Sequence, residues 1–134
     1  MPVTCLVVDD SPSARKVIVH YLRKAGCAVV AEASNALEAL DLFRQHQPDV
    51  VTLDLMMPQH FNIDSMGLLR AIKRERPQTA VIVVSVIPFE KIRYEYIEQG
   101  VLAYIVKPLT EESFEPVRIK LTQLHPELAL VQQR

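Results

Sequence analysis

Five short apolar runs, Val3–Val8, Ala28–Ala31, Val50–Leu53, Ala80–Val84 and Val101–Val106, recur along the chain, and a helical pattern follows each one. Each run is rich in Val, Ile, Leu or Ala and shows little polar alternation. Strands buried on both faces read this way, as in a parallel sheet covered by helices. The first helical pattern places Ala14, Val17, Ile18, Tyr21, Leu22 and Ala25 on one stripe, opened by Ser11-Pro12 and closed by Gly26. Ala36, Leu40 and Phe43 form a second stripe, ended by Pro48. Leu68, Leu69 and Ile72 form a third, ended near Pro77. Phe89, Ile92, Tyr96 and Ile97 form a fourth, closed by Gly100, and Phe114, Val117, Leu121 and Leu124 a fifth, before Pro126. All are read as core faces. Strict strand–helix alternation, (βα)5, implies right-handed crossovers and a parallel five-stranded sheet with helices on both sides. Five strands are too few for an eight-stranded barrel, which leaves a doubly wound α/β sheet in the order 2-1-3-4-5.

At 134 residues the chain is one domain long. Residues 1–124 hold the repeating units. Residues 125–134 read as a tail, a short extra helix or the start of a linker. With 49% hydrophobic and 23% charged residues the composition is globular, and a net charge of -1 gives no electrostatic footprint for nucleic acid or an anionic membrane. Cys5 and Cys27 are too few for a disulfide scaffold and read as free buried thiols in a reducing cytosol. The N-terminus lacks the pattern of a signal peptide, and no apolar run reaches the ~18 residues of a membrane helix. The three glycines, Gly26, Gly67 and Gly100, lie too far apart to form a glycine-rich phosphate loop.

In an open α/β sheet, ligands bind beyond the carboxyl ends of the strands, at the switch point between the first and third. The residues there are Asp9 and Asp10 after the first run, Asp54 after the third, Ser85 after the fourth, and Lys107-Pro108 after the fifth. The second run ends in Glu32, away from the crevice. Three carboxylates at one edge repel one another and call for a positive charge. An all-oxygen set without His or Cys suits a hard dication such as Mg2+, and Lys107 supplies a second, fixed positive charge. Each residue alone has an ordinary reading: paired aspartates near a helix N-terminus, a strand-end turn residue, a buried hydroxyl, a surface lysine. That all of them fall at the same end of four different strands favours a functional site.

At these residues the sequence resembles the receiver domain of bacterial two-component response regulators, most of all the stand-alone, chemotaxis-type members. Leu6-Val7-Val8-Asp9-Asp10-Ser11, Val51 to Pro58 (Val-Thr-Leu-Asp-Leu-Met-Met-Pro), Val83-Val84-Ser85 and Tyr104-Ile105-Val106-Lys107-Pro108 carry the resemblance, which covers about residues 3–124. The spacings are 45 residues from Asp9 to Asp54 and 22 from Ser85 to Lys107. The resemblance implies a flavodoxin-like three-layer sandwich and a cytoplasmic signalling switch, not a metabolic enzyme. Asp54 would accept a phosphoryl group from a histidine of a sensor kinase or phosphotransfer protein. Asp10, Asp54 and the Met56 carbonyl would hold Mg2+, with Asp9 helping through water. Ser85 would bond a phosphoryl oxygen, Lys107 would pair with the phosphoryl group, and the Lys107–Pro108 bond would be cis. Tyr104 would swing inward when Ser85 moves, altering the face of the fourth helix, fifth strand and fifth helix. That face, including Lys91, Tyr94, Tyr104 and Lys120, would dock a downstream protein or serve as a homodimer face.

Two departures from the family pattern bear on function. The segment Gln59–Ser65 after Pro58 is about three residues longer than the family's, a length that surface loops tolerate; Ile63-Asp64-Ser65 best matches the family's Met-Asp-Gly. Its His60 is not assigned a role. Val86 stands where the family usually has alanine, and with Met56 and Ile87 it gives an apolar approach for water, which implies slow loss of the phosphoryl group. Two other readings compete. A haloacid-dehalogenase-type aspartyl-phosphate hydrolase would carry Asp-x-Asp after the first strand, whereas Asp9 and Asp10 are adjacent. A receiver-like docking platform without phosphotransfer would not need the full set of residues. Nothing in the sequence resembles a helix-turn-helix or basic recognition helix.

Overall fold

The computed structural model describes residues 2–57 and 63–132. Strands β1 (Thr4–Val8), β2 (Ala28–Ala33), β3 (Val50–Leu53), β4 (Ala80–Ser85) and β5 (Ala103–Val106) form one parallel sheet in the order β2-β1-β3-β4-β5. Between and after them lie α1 (Pro12–Lys24), α2 (Ala36–His46), α3 (Ser65–Glu75), α4 (Glu90–Glu98), α5 (Glu111–Leu124) and α6 (Glu127–Gln132). The doubly wound architecture expected from the alternation is the one observed.

The unbroken apolar character of the strands follows from their burial. Successive side chains point to opposite faces. Cys5 and Val7 of β1, with Ile82 and Val84 of β4, enter a core shared with α1, α5 and α6. Leu6 and Val8, with Val81 and Val83, enter a second core on the other face, where Phe43 of α2 and Leu68, Leu69 and Ile72 of α3 pack. Cys5 and Cys27 are free and buried in the first core.

Local chemistry fixes the helix ends. Ser11 Oγ accepts from the Ala14 N–H and Pro12 opens α1; Gly26, at φ 100°, turns the chain into β2. Asn35, Asp64 and Thr110 cap α2, α3 and α5 through side-chain oxygens, and Thr110 with Ser113 forms a reciprocal capping box.

Some boundaries and faces differ from the sequence reading. β2 runs past Glu32 to Ala33, and β5 begins at Ala103. In α1 the buried residues are Ile18, Val19 and Leu22, so the face is rotated away from Val17, which is exposed. The fourth stripe is not a core face. Phe89 lies before α4 at its N-cap and is 65% exposed, Ile97 is exposed, and only Tyr96 is buried. A nine-residue helix at the sheet edge has one turn facing the core, which Tyr96 fills with Ile92 half-buried beside it. Leu124 ends α5 and is exposed. Beyond it, α6 folds back: Leu128 is buried in the first core, and Gln132 Nε2 donates to the Ala25 carbonyl at 2.9 Å and to Thr122 Oγ1 at 3.1 Å. Among the described residues no helix is long and apolar enough to cross a membrane.

Candidate functional site

Asp9 and Asp54 follow β1 and β3 directly, and these strands are neighbours with Val8 opposite Leu53. The Asp54 N–H donates to the Val8 carbonyl at 3.0 Å, so the ladder itself sets the two aspartates side by side. Both are buried, whereas Asp10 is exposed; one carboxylate oxygen from each of the three lies within 4.8 Å of the others. Asp9 Oδ1 accepts from the Ser11 N–H at 2.9 Å at the start of α1. Lys107 follows β5, with its backbone N–H on the Ser85 carbonyl and a cis bond to Pro108. Its ammonium lies 2.7 Å from Asp9 Oδ2 and 3.8 Å from Asp54 Oδ2. Ser85, the last residue of β4, is fully buried, and its Oγ accepts from the Ile87 N–H at 3.3 Å. The Met56 N–H donates to Asp54 Oδ1 at 3.2 Å.

This geometry leaves one ammonium among three carboxylates. Burial is the main influence raising the Asp54 pKa above the ordinary aspartate value, and the charges of Asp9 and Asp10 add to it. The Met56 N–H and Lys107 oppose the rise. A further cation would favour the Asp54 anion. The donors present are oxygens converging from two strand ends, with exposed Asp10 on the open side; that set fits a hard dication of the Mg2+ kind. The sequence-selected residues Asp9, Asp10, Asp54, Ser85 and Lys107 thus gather at one sheet edge, with the Met56 backbone adjoining Asp54.

A model of the response regulator receiver domain matches residues 5–116. The chain belongs to that family. As a receiver it is similar to the chemotaxis protein CheY of Bacillus subtilis, 36% identical over 103 residues covering 77% of this chain and 83% of the relative. To CheY of Thermotoga maritima it is 33% identical over 114 residues, covering 85% and 88%. Among solved structures it resembles the receiver domain of AraT from Geobacillus stearothermophilus (TM-score 0.83, 27% identity, covering 95% of this chain and 98% of that one). It also resembles a chain of the CheX–CheY–BeF3–Mg2+ complex from Borrelia burgdorferi (TM-score 0.75, 27% identity, covering 96% and 90%).

Around the receiver's acidic edge, the Tyr104 hydroxyl donates to the Ile87 carbonyl at 2.7 Å. Ile87 therefore touches Ser85 through its N–H and Tyr104 through its carbonyl. Tyr104 is half-buried rather than exposed, while Lys91, Tyr94 and Lys120 are exposed. Val86 is exposed and lines an apolar groove of about 460 Å³ with Ala14, Val17, Lys107 and Pro108. His60 lies outside the described residues.

Two receiver residues beside the site escape a reading by strand ends. Arg15 donates to the Asp9 carbonyl at 2.6 Å and to Glu32 at 3.2 Å. Its signal is only a charged residue in the first turn of α1, beside the apolar stripe. Ser65 donates to the Asp54 carbonyl from the start of α3. Its signal was the departure from glycine at that point.

Proposed function

We propose that this receiver accepts a phosphoryl group on Asp54 from the phosphohistidine of a sensor histidine kinase or phosphotransfer protein. The observation that carries the reading is the meeting of the Asp9, Asp10 and Asp54 carboxylates opposite the Lys107 ammonium at the carboxyl edge of the sheet. An Asp54 carboxylate oxygen attacks phosphorus as the P–N bond breaks, and the bond's electron pair returns to the imidazole, which takes up a proton. The protein's part is to hold the nucleophile in line and neutralise charge on the equatorial oxygens. Asp10, Asp54 and the Met56 carbonyl would hold Mg2+, with Asp9 acting through water; the ion supplies charge neutralisation on the phosphoryl oxygens. Lys107 supplies a fixed positive charge on the other side.

The acyl phosphate then draws the Ser85 hydroxyl to a phosphoryl oxygen and away from the Ile87 N–H. Because Ile87 also holds the Tyr104 hydroxyl, the β4–α4 loop and Tyr104 move together. The altered face of α4, β5 and α5 is where a downstream protein docks, with a second copy as the competing occupant. The resemblance to a chain of the CheX–CheY–BeF3–Mg2+ complex supports a partner-binding switch of this kind. On this reading the receiver unit is residues 1–124, with 125–134 an addition whose α6 packs back on its core; it works in the cytoplasm, and its chemistry is limited to accepting and slowly losing one phosphoryl group.

Incubation with a small acyl-phosphate donor and Mg2+, followed by intact mass, tests the reading. Wild type gains one phosphoryl group and Asp54→Ala gains none. Equal labelling of both, or of neither, overturns it.

A further inference from the structure

We infer that Ser65 is a positioning residue for the phosphoacceptor turn, an inference that rests on the function proposed above. Ser65 is the first residue of α3, is buried, and its Oγ donates to the Asp54 carbonyl at 3.1 Å, with the Leu55 carbonyl at 3.5 Å as a weaker second acceptor. The turn it grips is the one the site depends on. Asp54 carries the nucleophile, the Met56 N–H holds Asp54 Oδ1 at 3.2 Å, and the Met56 carbonyl is the backbone ligand of the proposed ion. Two consecutive carbonyls, those of Asp54 and Leu55, face one hydroxyl. These contacts restrain the two peptide planes that lead into Met56, the second of which carries the N–H held by Asp54 Oδ1, so the Met56 carbonyl extends from an anchored plane.

The anchor is itself fixed. Asp64, the preceding residue, caps α3 through the Gly67 N–H at 2.8 Å, and Leu68 and Leu69 lock the helix into the core. The hydroxyl is therefore held in place by α3. A glycine at position 65 would give the same helix start but no donor. In this chain the connection from Asp54 to α3 spans residues 55–64, and Ser65 supplies a direct tie between its two ends. Groups that orient a ligand's backbone set metal affinity without touching the metal.

Mg2+ alone, titrated into the full chain and followed by amide NMR shifts at residues 54–56, reads the effect. S65A and S65G should each weaken Mg2+ binding about 3- to 10-fold, the range expected for one lost buried hydrogen bond acting through a ligand. S65T, which keeps the hydroxyl, should bind within about twofold of wild type. Denaturant unfolding in chelator is measured alongside, since a purely structural serine lowers stability and leaves the folded protein's Mg2+ affinity unchanged. Wild-type affinity in both S65A and S65G overturns the inference while leaving the proposed function standing, as does an S65T affinity as poor as that of S65A. Absence of Mg2+ binding by wild type overturns the proposed function, and this inference with it.

Discussion

At Asp54, burial and the charges of Asp9 and Asp10 act against ionisation, while Lys107 shares its ammonium between Asp9 at 2.7 Å and Asp54 at 3.8 Å. The carboxyl is therefore held above the ordinary aspartate pKa of ~3.9. In that window the folded chain binds more protons than the unfolded chain, so stability falls as pH rises through it. In chelator, the part of wild-type stability that depends on Asp54 should be lost as pH rises from about 4 through the raised pKa, while carboxylates with a lowered pKa, such as Asp49, act the other way. Asp54→Asn should flatten that loss and unfold at a higher temperature at neutral pH. Thermal unfolding of both across the range checks this; parallel curves would contradict it. Met56, exposed beside the same carboxylate, bears on the later step. Replacing it with Asn should speed hydrolysis of the acyl phosphate roughly tenfold, about 1.4 kcal/mol off the barrier, by giving the attacking water a polar partner. Timed loss of phosphate from purified protein decides it, and an unchanged or slower decay would contradict it.

Among the elements, α4 and α6 depart furthest from what periodicity implies. Of the α4 side chains only Tyr96 is buried, whereas α3 buries Ser65, Leu68, Leu69, Ala71 and Ile72. Elements with few buried contacts open first. Native-state hydrogen exchange should show α4 amides exchanging well before those of α3, as the proposed movement with the β4–α4 loop requires; equal protection would contradict this. The opposite holds for α6. Leu128 is 1% exposed, and Gly26 leaves room for Val131, whose Cβ lies 3.0 Å from where a Cβ on residue 26 would stand. Leu128→Ala should destabilise the chain by about 2–5 kcal/mol in denaturant unfolding, although it lies in a segment that reads as a tail. The strands were legible because double burial leaves an unmistakable apolar run. The faces of short helices were not, because nine residues give only about two and a half turns, and Phe89 and Ile97 fit the same stripe whether or not a neighbour covers them. Leu128 lies in a six-residue helix, too short to show a period.

Across the whole molecule, the sheet order places the ends of β1, β3, β4 and β5 together. That is why the site residues could be named from strand ends before any contact was known. Asp9, Asp10, Asp54, Ser85 and Lys107 were legible because each sits at the last residue of a run or next to it. Arg15 and Ser65 were not, because both donate to backbone carbonyls, and a carbonyl acceptor leaves no mark of its own in the residue pattern. Ile87 bridges the acidic edge and the α4–β5–α5 face, its N–H held by Ser85 and its carbonyl by Tyr104, and the proposed switch would pass through it. Beryllofluoride with Mg2+, a stand-in for the phosphoryl group, reads that path directly by amide NMR. The expected result is shifts at Asp54, Ser85 and Lys107 that continue through Ile87 to Tyr104 and are lost in Asp54→Ala. Shifts confined to the acidic edge, or no shifts with wild type, would contradict a phosphorylation-driven switch.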